Sequence, residues 1–265
     1  MGELTKIQWA HHTFNPWWGC RKVPRDPACA HCYAEATAKR WGLDIWGPNK
    51  PRKFMSEANW KKPLRWDRLA AKAGERHRVF CASMADVFED RDDLYPVRER
   101  LWRLIEQTPN LDWLLLTKRP ESLDWLDVSS RANVWLGITA ATQQHYDERW
   151  PLLARHPAAV HFISCEPMME SIDFMLDLKT MDGPRPEWII LGGESGPKAR
   201  PCAQEWLEHA VKWCRKGKVP VFVKQLGAHS TRGGERRRFS DSHAGDPSEW
   251  PSKLRVRQLP KGVRA

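Results

Sequence analysis

The sequence predicts an α/β fold: a parallel sheet of about seven strands that alternates with helices and closes, or nearly closes, as a TIM-like (β/α) barrel. Three observations predict it. Short apolar runs rich in Val, Ile, Leu and Trp recur along the chain, most are followed by a segment with helical spacing, and each ends in polar or titratable residues. Strands separated by helices pair in parallel, because a crossover helix returns the chain to the same end of the sheet, and the fixed hand of that crossover lets the sheet close.

In chain order, residues 6–9 alternate and are read as a first strand, followed by His11, His12 and the Asn15-Pro16 pair. Residues 33–40 are strong helix formers, which places Cys32 at a helix start, where the dipole favours a thiolate. Residues 41–63, rich in Gly, Pro, Trp and Lys without a sustained period, are read as an excursion over one barrel face. A helix over 64–73 and a buried strand over 78–83 follow. The alternation is then regular: helix 96–107, strand 112–117, short helix 121–126, strand 133–139, helix 143–154, strands 160–164 and 187–191, helix 202–216 and strand 219–223. After Gly227 the composition turns to Ser, Arg, Gly and Asp, and residues 254–259 alternate as a terminal strand. The chain is therefore read as a barrel over 1–227 with a basic appendage over 228–265.

Cys20, Cys29 and Cys32 stand in a C-x8-C-x2-C array. Three thiolates this close can converge on one metal centre and leave a vacancy where chemistry occurs. Two readings stand: an iron-sulfur cluster, and structural zinc with His11, His12 or His31 as the fourth ligand. A barrel context favours the cluster, since structural zinc serves mainly small domains. Cys81, Cys165, Cys202 and Cys214 lie singly in apolar or helical stretches and are read as buried thiols. Trp17 and Trp18, directly before Gly19 and Cys20, are read as a wall that keeps water from the centre. Trp102, Trp113, Trp135, Trp188, Trp206 and Trp213 are read as core.

With 265 residues, 41% of them hydrophobic, and no apolar run of spanning length, the composition excludes a helical membrane protein. Seven cysteines without a secretory leader predict a reducing cytoplasm. A net charge of +10 favours a polyanionic partner, and the basic stretches 232–238 and 253–264 fit either nucleic-acid contact or a solvated tail.

The strand ends carry the remaining candidates: Ser83 and Asp86, Thr117 with Lys118 and Arg119, Thr139, Ser164 with Glu166, Gly192-Gly193-Glu194-Ser195, and Lys224 with Gln225. In a parallel barrel these ends share one functional rim. Gly192 and Gly193 fit either a plain tight turn or a place where backbone amides approach an anion or an adenosyl group, with Glu194 available to a ribose or amine.

Taken together, Asn15-Pro16-Trp-Trp-Gly-Cys20 through Cys29-Ala-His-Cys32-Tyr-Ala-Glu35, Ser83-Met-Ala-Asp-Val-Phe88, Leu115-Leu-Thr-Lys-Arg-Pro120, Cys165-Glu-Pro167, Gly192-Gly-Glu-Ser-Gly196 and Lys224-Gln225 resemble a phage-associated family of three-cysteine-motif proteins. That family, a domain of unknown function, is distantly similar to radical S-adenosylmethionine (SAM) enzymes. The superfamily's usual spacing is C-x3-C-x2-C with an aromatic residue before the last cysteine, whereas the first gap here is eight and His31 takes the aromatic place. Its Gly-Gly-Glu motif follows the second strand, whereas Gly192-Gly193-Glu194 follows a late one.

The resemblance implies a 4Fe-4S cluster on Cys20, Cys29 and Cys32, with SAM bound at the fourth iron and cleaved after reduction by an external electron donor. Asp86, Thr139, Glu166, Gly192, Gly193 and Glu194 are the expected cofactor-binding residues. Lys118, Arg119 and Lys224 are expected to hold an anionic substrate, a nucleotide or a nucleic-acid base. The alternative is a zinc-stabilised nucleic-acid-binding protein without catalytic activity. No membrane partner is expected, and the sequence leaves the oligomeric state open.

Overall fold

A computed structural model of the protein describes residues 5, 7–126, 132–174 and 184–260. The strands are β1 (His12–Phe14), β2 (Trp17–Trp18), β3 (Lys53–Phe54), β4 (His77–Cys81), β5 (Leu111–Thr117), β6 (Val134–Thr139), β7 (Val160–Cys165), β8 (Trp188–Gly192), β9 (Cys202–Ala203), β10 (Val221–Gln225), β11 (Ser230–Arg232) and β12 (Glu235–Arg236). The helices are α1 (Pro27–Ala30), α2 (Tyr33–Arg40), α3 (Glu57–Trp60), α4 (Lys62–Ala73), α5 (Tyr95–Glu106), α6 (Gln143–Ala154) and α7 (Gln204–Gly217).

Seven strands form one parallel sheet in the order β1-β4-β5-β6-β7-β8-β10, flanked by helices. Its central strands are buried almost throughout, as β5 and β6 show, which is why they read as continuous apolar runs rather than alternating ones. The expected closed or near-closed barrel is corrected: the sheet is an open half-barrel with β1 and β10 at its edges. The outer edge of β10 is already occupied. Val223 N–H donates to Val256 O at 2.8 Å and Gln258 N–H to Val221 O at 2.9 Å, so the C-terminal segment takes the bonds a closing strand would need.

Two further expectations shift. Residues 7–10 form a turn rather than a strand, closed by Ala10 N–H to Ile7 O at 3.1 Å, and the first strand is β1. Trp9, which made that stretch look strand-like, is buried edge-on against Phe80 at 4.9 Å. Residues 254–259 do not make a regular strand; a 3-10 turn over Ser252–Leu254 leads into a single bridge between Arg257 and Phe222. The short helix expected at 121–126 is a 3-10 turn, Pro120–Asp124.

The chain divides into two compact units, residues 1–137 with 156–159, and 138–155 with 160–265. The first has Phe14 at its centre, edge-on to Trp60 at 5.3 Å and to Trp113 at 5.6 Å. In the second, Trp188 lies between Phe162 at 5.9 Å and Phe222 at 6.3 Å, and the segment after Gly227 buries Trp250 and Leu254. Trp102, Trp113, Trp135 and Trp188 are buried as expected, whereas Trp206 and Trp213 are half-buried on α7. No helix of the described residues is long and apolar enough to cross a membrane.

A cysteine loop and polar strand ends as the candidate functional site

The cysteine loop leaves β1 at the carboxyl end of the sheet and is tied there by named bonds. Asn15 spans to the residues after β4, donating through Nδ2 to Ser83 Oγ at 3.1 Å and accepting at Oδ1 from Met84 N–H at 2.7 Å. Gly19 N–H donates to Met84 O at 3.0 Å. Gly19 has φ +108 and a Cβ there would meet Arg52 Cδ at 3.0 Å with Ile45 O closer still, so only glycine turns the chain into Cys20. Tyr33, the first residue of α2, reaches back from the other end of the loop and donates to Ser83 O at 2.6 Å.

Cys20 follows β2, Cys29 sits in α1, and Cys32 is the N-cap of α2, as the helix-start reading expected. All three thiols are half-buried, while Cys81, Cys165, Cys202 and Cys214 are fully buried. Burial pushes the Cys20 thiol up to about 12, against the opposing pull of Arg119. Burial also raises Cys29, whose other charged neighbours include Lys118, Asp26 and Cys32. Lys118, just past β5, is thus a cationic neighbour of both Cys20 and Cys29. Lys118 is half-buried, and its backbone N–H donates to Asp86. Trp17 is fully buried, and Trp18 packs with Cys32 on a small cluster of Ala34, Ala38, Ile45 and Met84.

Asp86 does not face solvent. Its buried carboxylate accepts from Thr117 Oγ1 at 2.8 Å, Lys118 N–H at 3.1 Å, Phe88 N–H at 3.1 Å and Arg119 Nη1 at 2.9 Å. Arg119 is buried too, and although burial disfavours its charge, Asp86 holds its pKa above the ordinary value. Its Nη1 lies 3.8 Å from Cys20 Sγ, and its Nη2 donates to Arg21 O. Asp86 therefore aims Arg119 at the cysteine loop.

The second unit carries its own cluster. Glu166, after β7, pairs through Oε1 with Lys224 Nζ at 2.8 Å and accepts at Oε2 from Ser164 Oγ at 3.2 Å. Gly192 is where Glu166 and Gln225 come close: a Cβ would sit 3.4 Å from Glu166 Oε1 and 3.5 Å from Gln225 Cγ. Gly193 abuts the chain after β10, where a Cβ would meet Gly227 Cα at 2.8 Å. Gln225 Nε2 donates to Gly193 O at 2.8 Å and Ser195 Oγ at 2.7 Å. Gly193 is thus required by close backbone packing, whereas a Cβ at Gly192 would make only ordinary contact with side chains. Glu194 is buried and clamped by Arg200, which donates Nη2 to Oε1 at 2.6 Å and Nε to Oε2 at 3.0 Å. Thr139 is buried at the end of β6, its carbonyl accepting from Arg149 Nη1 at 2.7 Å.

Two residues carry more of this architecture than their sequence context shows. Arg52 and Glu89 form a fully buried pair, with Nη2 to Oε1 at 2.6 Å and Nε to Oε2 at 3.0 Å. Arg52 also donates to the carbonyls of Ile45 at 3.2 Å, Gly47 at 3.1 Å and Lys50 at 2.8 Å, while Glu89 Oε1 accepts from Arg21 N–H at 3.1 Å. Together with Gly47 N–H to Cys20 O at 3.0 Å, the pair pins residues 45–52 against the cysteine loop. The irregular composition of that excursion was the only signal for it.

Three thiols beside a lysine and an arginine suit an iron-sulfur cluster in donor chemistry, because thiolates are its ligands and nearby cations offset the charge they gain. Among the described residues, no three His, Cys, Asp or Glu side chains are grouped as a bound metal would hold them. The fold and these clusters define an α/β protein with an open parallel sheet, a thiol-bearing loop and charged strand ends. The chain belongs to the family described as "Protein of unknown function (DUF5131)", whose model matches residues 4–253. No match to a curated protein or to a solved structure was found.

Proposed function

We propose that the chain is a radical SAM-like enzyme acting on a nucleotide or a nucleic-acid base, with Cys20, Cys29 and Cys32 as ligands of a 4Fe-4S cluster. The observation that carries this reading is the docking of the three-cysteine loop onto the carboxyl ends of β1, β4 and β5, with Arg119 Nη1 at 3.8 Å from Cys20 Sγ. Carboxyl ends of parallel strands are where such sheets place their chemistry. Cys20, Cys29 and Cys32 would hold the cluster, which when bound would supply the single electron that reductive cleavage of SAM to methionine and a 5'-deoxyadenosyl group needs.

The protein's own residues supply the rest. Trp17 and Trp18 exclude water beside the loop, and Lys118 and Arg119 offset negative charge on the thiolates. Asp86 and Glu194 are positioning residues, since their carboxylates are taken up by Arg119 and Arg200. Glu166 is the better acceptor for an amine: it is only half-buried, and the cation it now holds, Lys224, is a mobile ammonium rather than an arginine clamp.

Anaerobic reconstitution with iron and sulfide tests the ligand assignment. About four irons and four sulfides per chain are expected, with charge-transfer absorbance that is lost in Cys29→Ala. One zinc per chain without iron uptake would establish the alternative, a zinc-stabilised nucleic-acid-binding protein.

A further inference from the structure

The cysteine loop and the excursion after it leave an aromatic and basic face on the first unit. Trp18 stacks on Trp41 with ring centroids 5.1 Å apart and planes 30° apart, and Lys53 Nζ sits 5.4 Å from the Trp18 ring. The β2–β3 ladder sets Trp18 opposite Lys53, so the three form one file. Trp41 is 55% exposed, and Tyr33, beside Cys32, is 58% exposed although its hydroxyl is anchored. Trp41 is exposed yet already oriented by its stack on Trp18, so its open face is held ready for a planar partner.

Charge selects the occupant. Between residues 15 and 62 ten lysines and arginines stand against four carboxylates, whereas residues 63–227 carry 23 and 24. Over half of the net charge of +10 therefore lies in the segment that builds this face. Three of its carboxylates are already paired, Glu35 with Lys22 at 2.6 Å and Lys39 at 2.7 Å, Asp44 with Lys50, and Glu57 with Arg100 at 2.5 Å, while Arg52 is buried against Glu89 and is not part of the face. A protein partner's apolar patch would need no such cations, and a duplex hides its base faces. Unpaired nucleotides offer a π-face for Trp41 and a phosphate for each nearby cation.

We propose that this face binds a single-stranded nucleic acid, with an unpaired base stacked on Trp41 and a flanking phosphate on Lys53. As a means of delivering substrate to the thiol loop it rests on the function proposed above; as a binding surface it does not.

The test is fluorescence anisotropy with labelled oligo-dT and oligo-U of about twelve nucleotides, with a duplex of the same length as competitor. Single strands should bind more tightly than duplex and quench tryptophan emission. Trp41→Ala should weaken binding roughly tenfold and Trp41→Phe far less, in keeping with the loss of one stacked base. Trp125→Ala, which removes a tryptophan that is also 55% exposed, should change nothing. Binding is read on the wild-type protein both before and after iron and sulfide are added, so a failure to load iron and a failure of this surface are separate results. Unchanged affinity in Trp41→Ala, or equal affinity for duplex and single strand, overturns the proposal. A preference between the two oligomers identifies RNA or DNA as the source.

Discussion

Replacing Arg52 by methionine is the most direct perturbation of how the cysteine loop is held. Both side chains of the Arg52–Glu89 pair are essentially inaccessible, at 0% and 1%. Arg52→Met leaves Glu89 buried with one backbone donor, Arg21 N–H at 3.1 Å, and strips a donor from the carbonyls of Ile45, Gly47 and Lys50. Removing one partner of a buried pair costs about 3–5 kcal/mol, a large part of the roughly 5–15 kcal/mol that holds an ordinary domain together. The corresponding fall in Tm is on the order of 10 °C for a chain of this size. Urea unfolding followed by tryptophan fluorescence and circular dichroism reads it. The double variant Arg52→Met with Glu89→Leu should recover part of the loss, because no charge is then left buried without a partner. A loss below about 1 kcal/mol for Arg52→Met, or a double variant whose loss equals the sum of the singles, refutes the reasoning.

Other outcomes follow from the same structure. Gly193→Ala drives a Cβ into the backbone of Leu226 and Gly227, where no side chain can give way, and should cost at least the roughly 1–3 kcal/mol of an overpacked core in thermal unfolding. Lys224→Ala removes a half-buried pair with Glu166 and should change stability by less than about 1 kcal/mol, read as a nearly unchanged Tm in thermal unfolding. His11 accepts from Arg78 N–H at Nδ1 at 2.7 Å, and burial with the charges of Arg78, His77 and His12 lowers its pKa to about 4. The unfolded chain therefore takes up this proton first, and the contribution of His11 to stability is present above about pH 6.5 and is lost as pH falls toward 4. Unfolding midpoints between pH 7 and 4.5 should fall less steeply in His11→Asn than in the wild type; equal slopes contradict this.

Helices were legible from composition and, at one end, from a cap: α2 spans the residues its strong helix formers predict, and α6 begins where predicted, with Thr142 accepting from His145 N–H at 3.3 Å. The central strands were legible because burial on both faces leaves an unbroken apolar run. Sheet closure was not, since it turns on whether residues 256–258 or another strand occupies the edge of β10, a choice made more than thirty residues away. The strand-end rule found Asp86, Glu166 and Glu194 by position, yet no local pattern distinguishes a carboxylate clamped by Arg119 or Arg200 from one that shares a lysine. Arg52 and Glu89 were invisible for the same reason, being partners 37 residues apart inside irregular chain.

The central claim is that the three thiols serve SAM cleavage, and the most direct measurement is 5'-deoxyadenosine released by the reconstituted, dithionite-reduced protein supplied with SAM. The account predicts release by the wild type and none by Cys20→Ala, Cys29→Ala or Cys32→Ala. A wild-type protein that takes up its full iron and sulfide yet releases no 5'-deoxyadenosine, with or without single-stranded oligonucleotide, contradicts it.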